Sequence, residues 1–283
     1  MHVLITGASG IAGRFIVEGL EAAGHRITRL GRHPGDVPWS LADLEPRLPP
    51  ADALVHAAFH HAPGAYRGGE GDDPQTFLRL NQDGSQALFA AARGAGIPRT
   101  MLISSRAVYG DHRRGEILEE TDPLVPDSLY GEMKAALERS VLAYPGGIAL
   151  RATGLYGQPP GAATHKWADL FGAFLAGAPV TPRQGTELHG ADLAGAVACL
   201  LKASAPAPGT GLYNASDLLL DRRDLLDRLA RLTACAHPLP PRASGPPPGV
   251  MATDRLRRLG WRPGGLTRLE AFLEAVASPP PAP

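Results

Sequence analysis

Cysteine is almost missing from this sequence. Its 283 residues carry two, Cys199 and Cys235, and neither stands at a spacing that suits a metal site or a redox pair. A disulfide framework is therefore excluded, and a reduced, cytoplasmic setting is expected. Cys199 lies in an apolar run, where a small buried thiol fits. Net charge is missing too, because 28 Lys and Arg balance 28 Asp and Glu. Without a basic surplus there is no electrostatic footprint for nucleic acid and no basic arm for a membrane surface. No apolar run approaches the roughly 18 residues of a membrane span, and the first strand starts at residue 2, so no signal peptide is expected. His56, His60 and His61 stand close together, yet no carboxylate accompanies them at ligand spacing, and no metal is expected.

Apolar residues are plentiful. At 44% of the chain they can build one large α/β domain, or a main domain with a small appendage. "HVLITG" reads as a buried strand and "IAGRFIVEGLEAAG" as a helix with a glycine stop. The alternation continues through strands in "RITRLGR", "ADALVHAAF" and "TMLISS", a long helix from residue 74 to about 96, a helix around 127–144, and one strand over "GIALRATGLYG". Such alternation predicts a Rossmann-type, doubly wound parallel sheet with its ligand crevice at the strands' C-terminal ends. From about residue 156 the pattern loosens. We expect a first domain over 1–155, a smaller C-terminal substrate-binding lobe over 156–277 that is partly interleaved with it, and a disordered tail at 278–283. Residues 237–250 are proline-rich and read as a loop.

Between the first strand and helix, "TGASGIAG" sets Gly7, Gly10 and Gly13 at G-x-x-G-x-x-G, with Ser9 and Ile11 in the same turn. The first glycine permits a tight turn, the second lets backbone approach a pyrophosphate, and the third lets the helix pack close to the sheet. The helix N-terminus then faces the phosphates. Dinucleotide binding follows. Further on, Tyr130 stands four residues before Lys134, which puts both on one helical face.

Together these stretches resemble the extended short-chain dehydrogenase/reductases, the NAD(P)-dependent epimerase/dehydratase family. "SSRAVYG" is similar to the family's strand-end motif, "NQDGS" to its N-V-x-G-T, and "LRATGLYG" to its L-R-x-x-x-x-Y-G. "VHAA" matches its alanine pair, "HGADLAGAV" its H-V-D-D-L-A and "LGWRP" its C-terminal signature, so the likeness spans residues 1–275. The resemblance implies that Tyr130 is the acid/base, that Lys134 lowers the tyrosine pKa and holds the nicotinamide ribose, and that Ser105 orients the reacting oxygen. It also implies cofactor contacts from His56, Ala57 and Ala58, a homodimer, and a small-molecule substrate faced by Arg106, His60 and Lys166 beside Ser105 and Tyr130. Asn81 stands either for a structural amide or for a proton relay. The 60–74 loop is either a specificity element or a plain connection.

Cofactor and substrate are less directly written. After the second strand an NAD enzyme generally presents a carboxylate to the ribose hydroxyls. Here Gly31 takes that position and Arg32 follows, which favours NADP(H) through a charged grip on the 2′-phosphate, with NAD(H) possible. Ser40 or Asp43 would face adenine. Ala107 stands where family dehydratases carry an acid. Gly185 and Thr186 stand near where nucleotide-sugar members carry an Arg, with Arg183 slightly early. A carbonyl reductase or alcohol dehydrogenase is expected first, a sugar epimerase with retained cofactor second, and a non-catalytic dinucleotide sensor third.

Overall fold

The computed structural model describes residues 1–62 and 69–277. Six positions of the 60–74 loop, 63–68, and the tail 278–283 lie outside the described residues.

The chain opens with β1 (His2–Thr6), α1 (Ile11–Ala22), β2 (Arg26–Gly31), β3 (Val37–Pro38) and β4 (Ala53–His56). Val3, Leu4 and Ile5 are fully buried, because a strand covered on both faces needs an unbroken apolar run, not an alternating one. α2 (Pro74–Leu78), a π-helical turn (Arg79–Asp83) and α3 (Gly84–Gly94) lead to β5 (Thr100–Ser105), followed by a 3-10 turn (Arg106–Tyr109) and β6 (Ile117–Leu118). α4 (Leu129–Leu142), β7 (Gly147–Ala152), β8 (Gly154–Tyr156), α5 (Ala168–Leu175), β9 (Gln184–His189), α6 (Gly190–Lys202) and β10 (Leu212–Ala215) come next. β11 (Leu218–Asp221), α7 (Arg222–Thr233), β12 (Val250–Met251), α8 (Asp254–Arg258) and α9 (Gly265–Ala277) complete the chain.

Seven strands pair in the order β10-β7-β5-β4-β1-β2-β3, all parallel. The strand order reverses between β1 and β4, and ligands of doubly wound sheets settle in the crevice there. α1 and α6 bury Ile16, Leu20, Leu193 and Val197 against one face. α3 and α4 bury Phe89, Met133 and Leu137 against the other. A second core, around Tyr156, Trp167, Phe174 and Leu226, lies under a small sheet of β8, β9 and β11. The chain passes to this lobe at β8, returns to the main sheet for α6 and β10, and leaves again.

Two elements differ from the sequence expectation. The helix expected from residue 74 to 96 is interrupted by the π-turn at 79–83, and the strand expected over 147–157 breaks at Thr153. β7 pairs with β5, whereas β8 pairs with β9 in the other sheet. Thr153 makes the change of partner, donating its N–H to Ala215 O and its hydroxyl to Thr186 O.

Candidate active site

One cleft runs along the C-terminal ends of the strands, from the β2–β3 rim to the small sheet. Its volume of about 1840 Å³ exceeds the roughly 300–1,000 Å³ of an ordinary small-ligand pocket. A dinucleotide and a second molecule both have room.

The glycine turn forms the floor. Gly7 has φ of +70°, and a Cβ there would come within 2.5 Å of Ala58 N. No other residue type suits that position. Ala57 and Ala58 thus meet the turn by backbone. Gly10 caps α1 without a side-chain bond, and no acidic residue stands in the first helical turn. Ser9, Gly10 and Ile11 line the cleft at the N-terminus of α1, with the Gly10 N–H closing the turn onto Gly7 O at 3.0 Å, and a pyrophosphate fits beside that helix end. Arg14 spans the gap above, donating to Ser9 O at 2.9 Å and Pro160 O at 2.8 Å.

Ser105, Tyr130 and Lys134 all line the middle of the same cleft. β5 ends at Ser105, whose hydroxyl accepts from Ala107 N at 3.2 Å and caps the 3-10 turn. Tyr130 and Lys134 lie one turn apart on α4, with Lys134 Nζ 5.9 Å from the Tyr130 ring centre. Lys134 is buried and donates to Ile103 O at 3.0 Å. Burial lowers its pKa to about 8, against a partial opposing pull from Glu138. Phe59, which sequence reasoning passed over, completes this wall. Its ring packs edge-on to Tyr130 at 5.0 Å, with Lys134 Nζ 5.5 Å from its centre.

Beneath the triad, a polar network anchors α4 to the sheet. Glu138 accepts from Ser104 Oγ at 2.5 Å and pairs with Arg151 at 2.6 Å, both side chains being 2% exposed. Arg151 also donates to Tyr109 OH at 2.7 Å, and Tyr109 donates on to Asn214.

The loop after β4 behaves differently from expectation. His56 does not line the cleft; its ring is buried between Thr6 Oγ1 at 2.7 Å and Ser85 Oγ at 2.8 Å. Burial drops its pKa to about 3, so it is neutral. Of the two readings of Asn81, the structure supports the structural one. Its Oδ1 accepts from His60 N at 2.7 Å, and its Nδ2 donates to His60 O at 2.8 Å and Phe77 O at 3.0 Å. An amide so engaged has little left for a relay. It holds the backbone of His60, which lines the cleft beside Phe59. Asn81 is the buried residue of the π-turn, a helical irregularity that is frequent at functional sites.

At the small-sheet end stand Arg106 and Lys166. Arg106 is buried against the Asp111 carboxylate at 3.1 Å. Lys166 pairs closely with Glu187 on β9. Burial raises the Glu187 pKa, and Lys166 opposes that shift. Gly185 and Thr186 line this end too, as does Arg183. At the opposite end Ser40 lines the cleft, whereas the Asp43 carboxylate accepts from Glu45 N and lies outside it. Arg32 is exposed on the rim. Among the described residues no group of three or more His, Cys, Asp and Glu could hold a metal, and no helix is long and apolar enough to cross a membrane.

A parallel sheet with a glycine turn at its switch point, and a serine, tyrosine and lysine along one crevice, define a nucleotide-binding fold of a particular kind. The family model of the NAD dependent epimerase/dehydratase family matches residues 3–216, and the chain belongs to that family. It is 30% identical to a 3-diazoavenalumate denitrifying reductase of a Streptomyces species, over 77% of this chain and 76% of that protein. It is 28% identical to a UDP-glucose 4-epimerase of Lacticaseibacillus casei, over 75% and 72%. Among solved structures, the Thermus thermophilus UDP-glucose 4-epimerase in complex with NAD superposes with a TM-score of 0.74 at 25% identity, covering 97% of this chain and 98% of that one.

Proposed function

We propose that the protein is a nicotinamide-dependent oxidoreductase that interconverts a carbonyl and a secondary alcohol on a small molecule. The observation that carries this reading is that Ser105, Tyr130 and Lys134 line the same cleft as the glycine turn. A dinucleotide sensor would need the turn alone. When bound, the nicotinamide supplies or takes the hydride. Ser105 hydrogen-bonds the substrate oxygen and fixes its position. Tyr130 moves the proton on that oxygen. Lys134, charged below about pH 8, favours the phenolate of Tyr130, and the Phe59 ring keeps water from the pair. Arg106 and Lys166 face the far side of the substrate.

A sugar epimerase with retained cofactor is the second reading, favoured by the likeness to UDP-glucose 4-epimerases. Against it, Gly185 offers no side chain to a diphosphate, and Lys166 at that end of the cleft is paired with Glu187. Dehydratase chemistry lacks its acid, since Ala107 is buried where one would stand. Either NAD(H) or NADP(H) enters the cleft, with Arg32 as the residue that would hold a 2′-phosphate. We further place the protein in the cytoplasm as a homodimer paired through α3 and α4, a state that light scattering would read directly.

Oxidation of NADH and NADPH should be followed against aldehydes, ketones and keto-sugars, with freshly purified protein checked for cofactor absorbance. Turnover of a carbonyl, with protein that purifies free of cofactor, is the expected result. Tyr130→Phe should bind cofactor within a few-fold of wild type while turnover drops by roughly 10²–10⁴. Bound cofactor together with sugar epimerisation and no net reduction would establish the second reading.

A further inference from the structure

We propose that Asp36 supplies the ribose-binding carboxylate that is missing at Gly31, and that NAD(H) is therefore preferred over NADP(H). The proposal rests on reading the cleft as a dinucleotide site. Gly31 ends β2 at the cleft rim, and a Cβ built on it would lie 2.5 Å from Asp36 Oδ2 and 3.4 Å from Asp36 Cγ. Within one aspartate, ordinary bond lengths put each carboxylate oxygen about 2.4 Å from its own Cβ. Asp36 thus already holds an oxygen at the radius where an aspartate at position 31 would hold its own. Its Cγ lies farther out, 3.4 Å from that Cβ, so the carboxylate reaches the end of β2 from the returning chain, five residues on in sequence but at the same rim of the cleft.

The intervening turn explains how. In "HPGD" the Asp36 N–H donates to His33 O at 3.1 Å, Pro34 takes the second position, and Gly35 takes the third with φ of +89°. Those are the residues a type II turn demands. The chain then pairs Leu30 with Val37 and Gly31 with Pro38, which returns Asp36 beside the strand it left. Asp36 Oδ2 accepts from His33 N at 3.2 Å. A carboxylate offers about four acceptor sites, so enough remain for two ribose hydroxyls. Asp36 is half-buried and lines the cleft.

The charges around it decide between the cofactors. A 2′-phosphate at this rim would sit beside the Asp36 carboxylate, and Glu18 and Glu21 line the same end. Of the arginines that could offset them, Arg14 is committed to two carbonyls, and Arg29 lies 3.7 Å from Glu21. That leaves Arg32. It is exposed, and ordering such a side chain against water recovers little. Ribose hydroxyls, by contrast, meet a carboxylate that is already held in place.

Binding of NADH and NADPH should be titrated by intrinsic fluorescence, which needs no substrate. Wild type should bind NADH at least about tenfold more tightly, as expected for hydrogen bonds to a charged group. In Asp36→Asn the amide oxygen still accepts from His33 N, so the turn is kept. That variant should lose about tenfold in NADH affinity while NADPH affinity rises. Adding Gly31→Asp to Asp36→Asn should restore NADH binding, because the backbone at residue 31 is not left-handed and the new Cβ meets only the end of the residue-36 side chain, which can move aside. Arg32→Ala should leave NADH affinity nearly unchanged. A wild type that prefers NADPH, or an Asp36→Asn variant with an unchanged ratio, overturns the proposal while leaving the cleft a dinucleotide site. Failure of wild type to bind either cofactor overturns the dinucleotide reading and the proposal with it.

Discussion

Lys134 is the residue of the candidate site whose chemistry the fold shifts toward neutrality. A lysine in water titrates near 10.4, but burial brings this one to about 8. Its charge is present below that pH and lost above it, so its support for the Tyr130 phenolate fades through pH 8. The profile of kcat/KM should therefore carry a limb near pH 8. Arginine stays charged throughout, and the residual activity of Lys134→Arg should lack that limb. If the limb persists in the variant, another group is titrating. Glu138 matters at the same scale, because it is paired with Arg151 out of solvent. Removing one partner of such a pair typically costs about 3–5 kcal/mol, since the other charge is left buried alone.

At the scale of elements, the β1–α1 turn and the β2–β3 turn make a controlled pair. Gly7→Ala must force a Cβ toward Ala58 N from a left-handed backbone, and both effects act against it. Gly31→Ala meets only the end of the Asp36 side chain, which can move. Thermal unfolding with and without NADH should show Gly7→Ala destabilised by a few kcal/mol and deaf to cofactor, with Gly31→Ala folded and close to wild-type stability. Equal stability of the two variants would remove the argument for a strained glycine.

The same elements show what a sequence discloses. The β1 turn was legible because its glycines and flanking apolar runs are neighbours in the chain, and Tyr130 and Lys134 because helical spacing is local. The π-turn was not, since nothing in "RLNQD" says that Asn81 will reach the backbone of His60. Nor was the break at Thr153, which depends on Thr186 and Ala215, far away in sequence. β9 and β11 went unread for the same reason: β9 is defined by pairing with β8 and β11, each about 30 residues away in the chain. At the site, Phe59, Glu187 and Asp36 are single residues without a motif. Their placement is a tertiary fact. For Asp36 there was a faint signal in Pro34-Gly35, a turn that had to bring something back.

Across the whole molecule, acid stability should depend on histidines held neutral. His56 in the main sheet and His189 beside the second core have pKa values lowered by burial to about 3 and about 4. The unfolded chain binds these protons near pH 6.5, so between pH 6.5 and 4 it holds more protons than the folded one. Stability is then full above pH 6.5 and declines as pH falls. For His56 the total loss is on the order of a few kcal/mol. Melting temperatures from pH 7 to 5 should decline less steeply in His56→Gln than in wild type. Parallel slopes would show that His56 does not contribute.

The β2–β3 turn has a consequence for how this protein can change. Residues 32–35 are exposed, and only Asp36 among the five that leave the strand and return is partly covered. On the reading given for Asp36, the choice between two metabolic currencies is written on an exposed turn of a few residues between two parallel edge strands. Substitutions within that turn would move the carboxylate while the buried side chains on either side of it stay as they are. Redox partnership could then drift between lineages faster than the fold itself, and an engineer could swap it as a cassette.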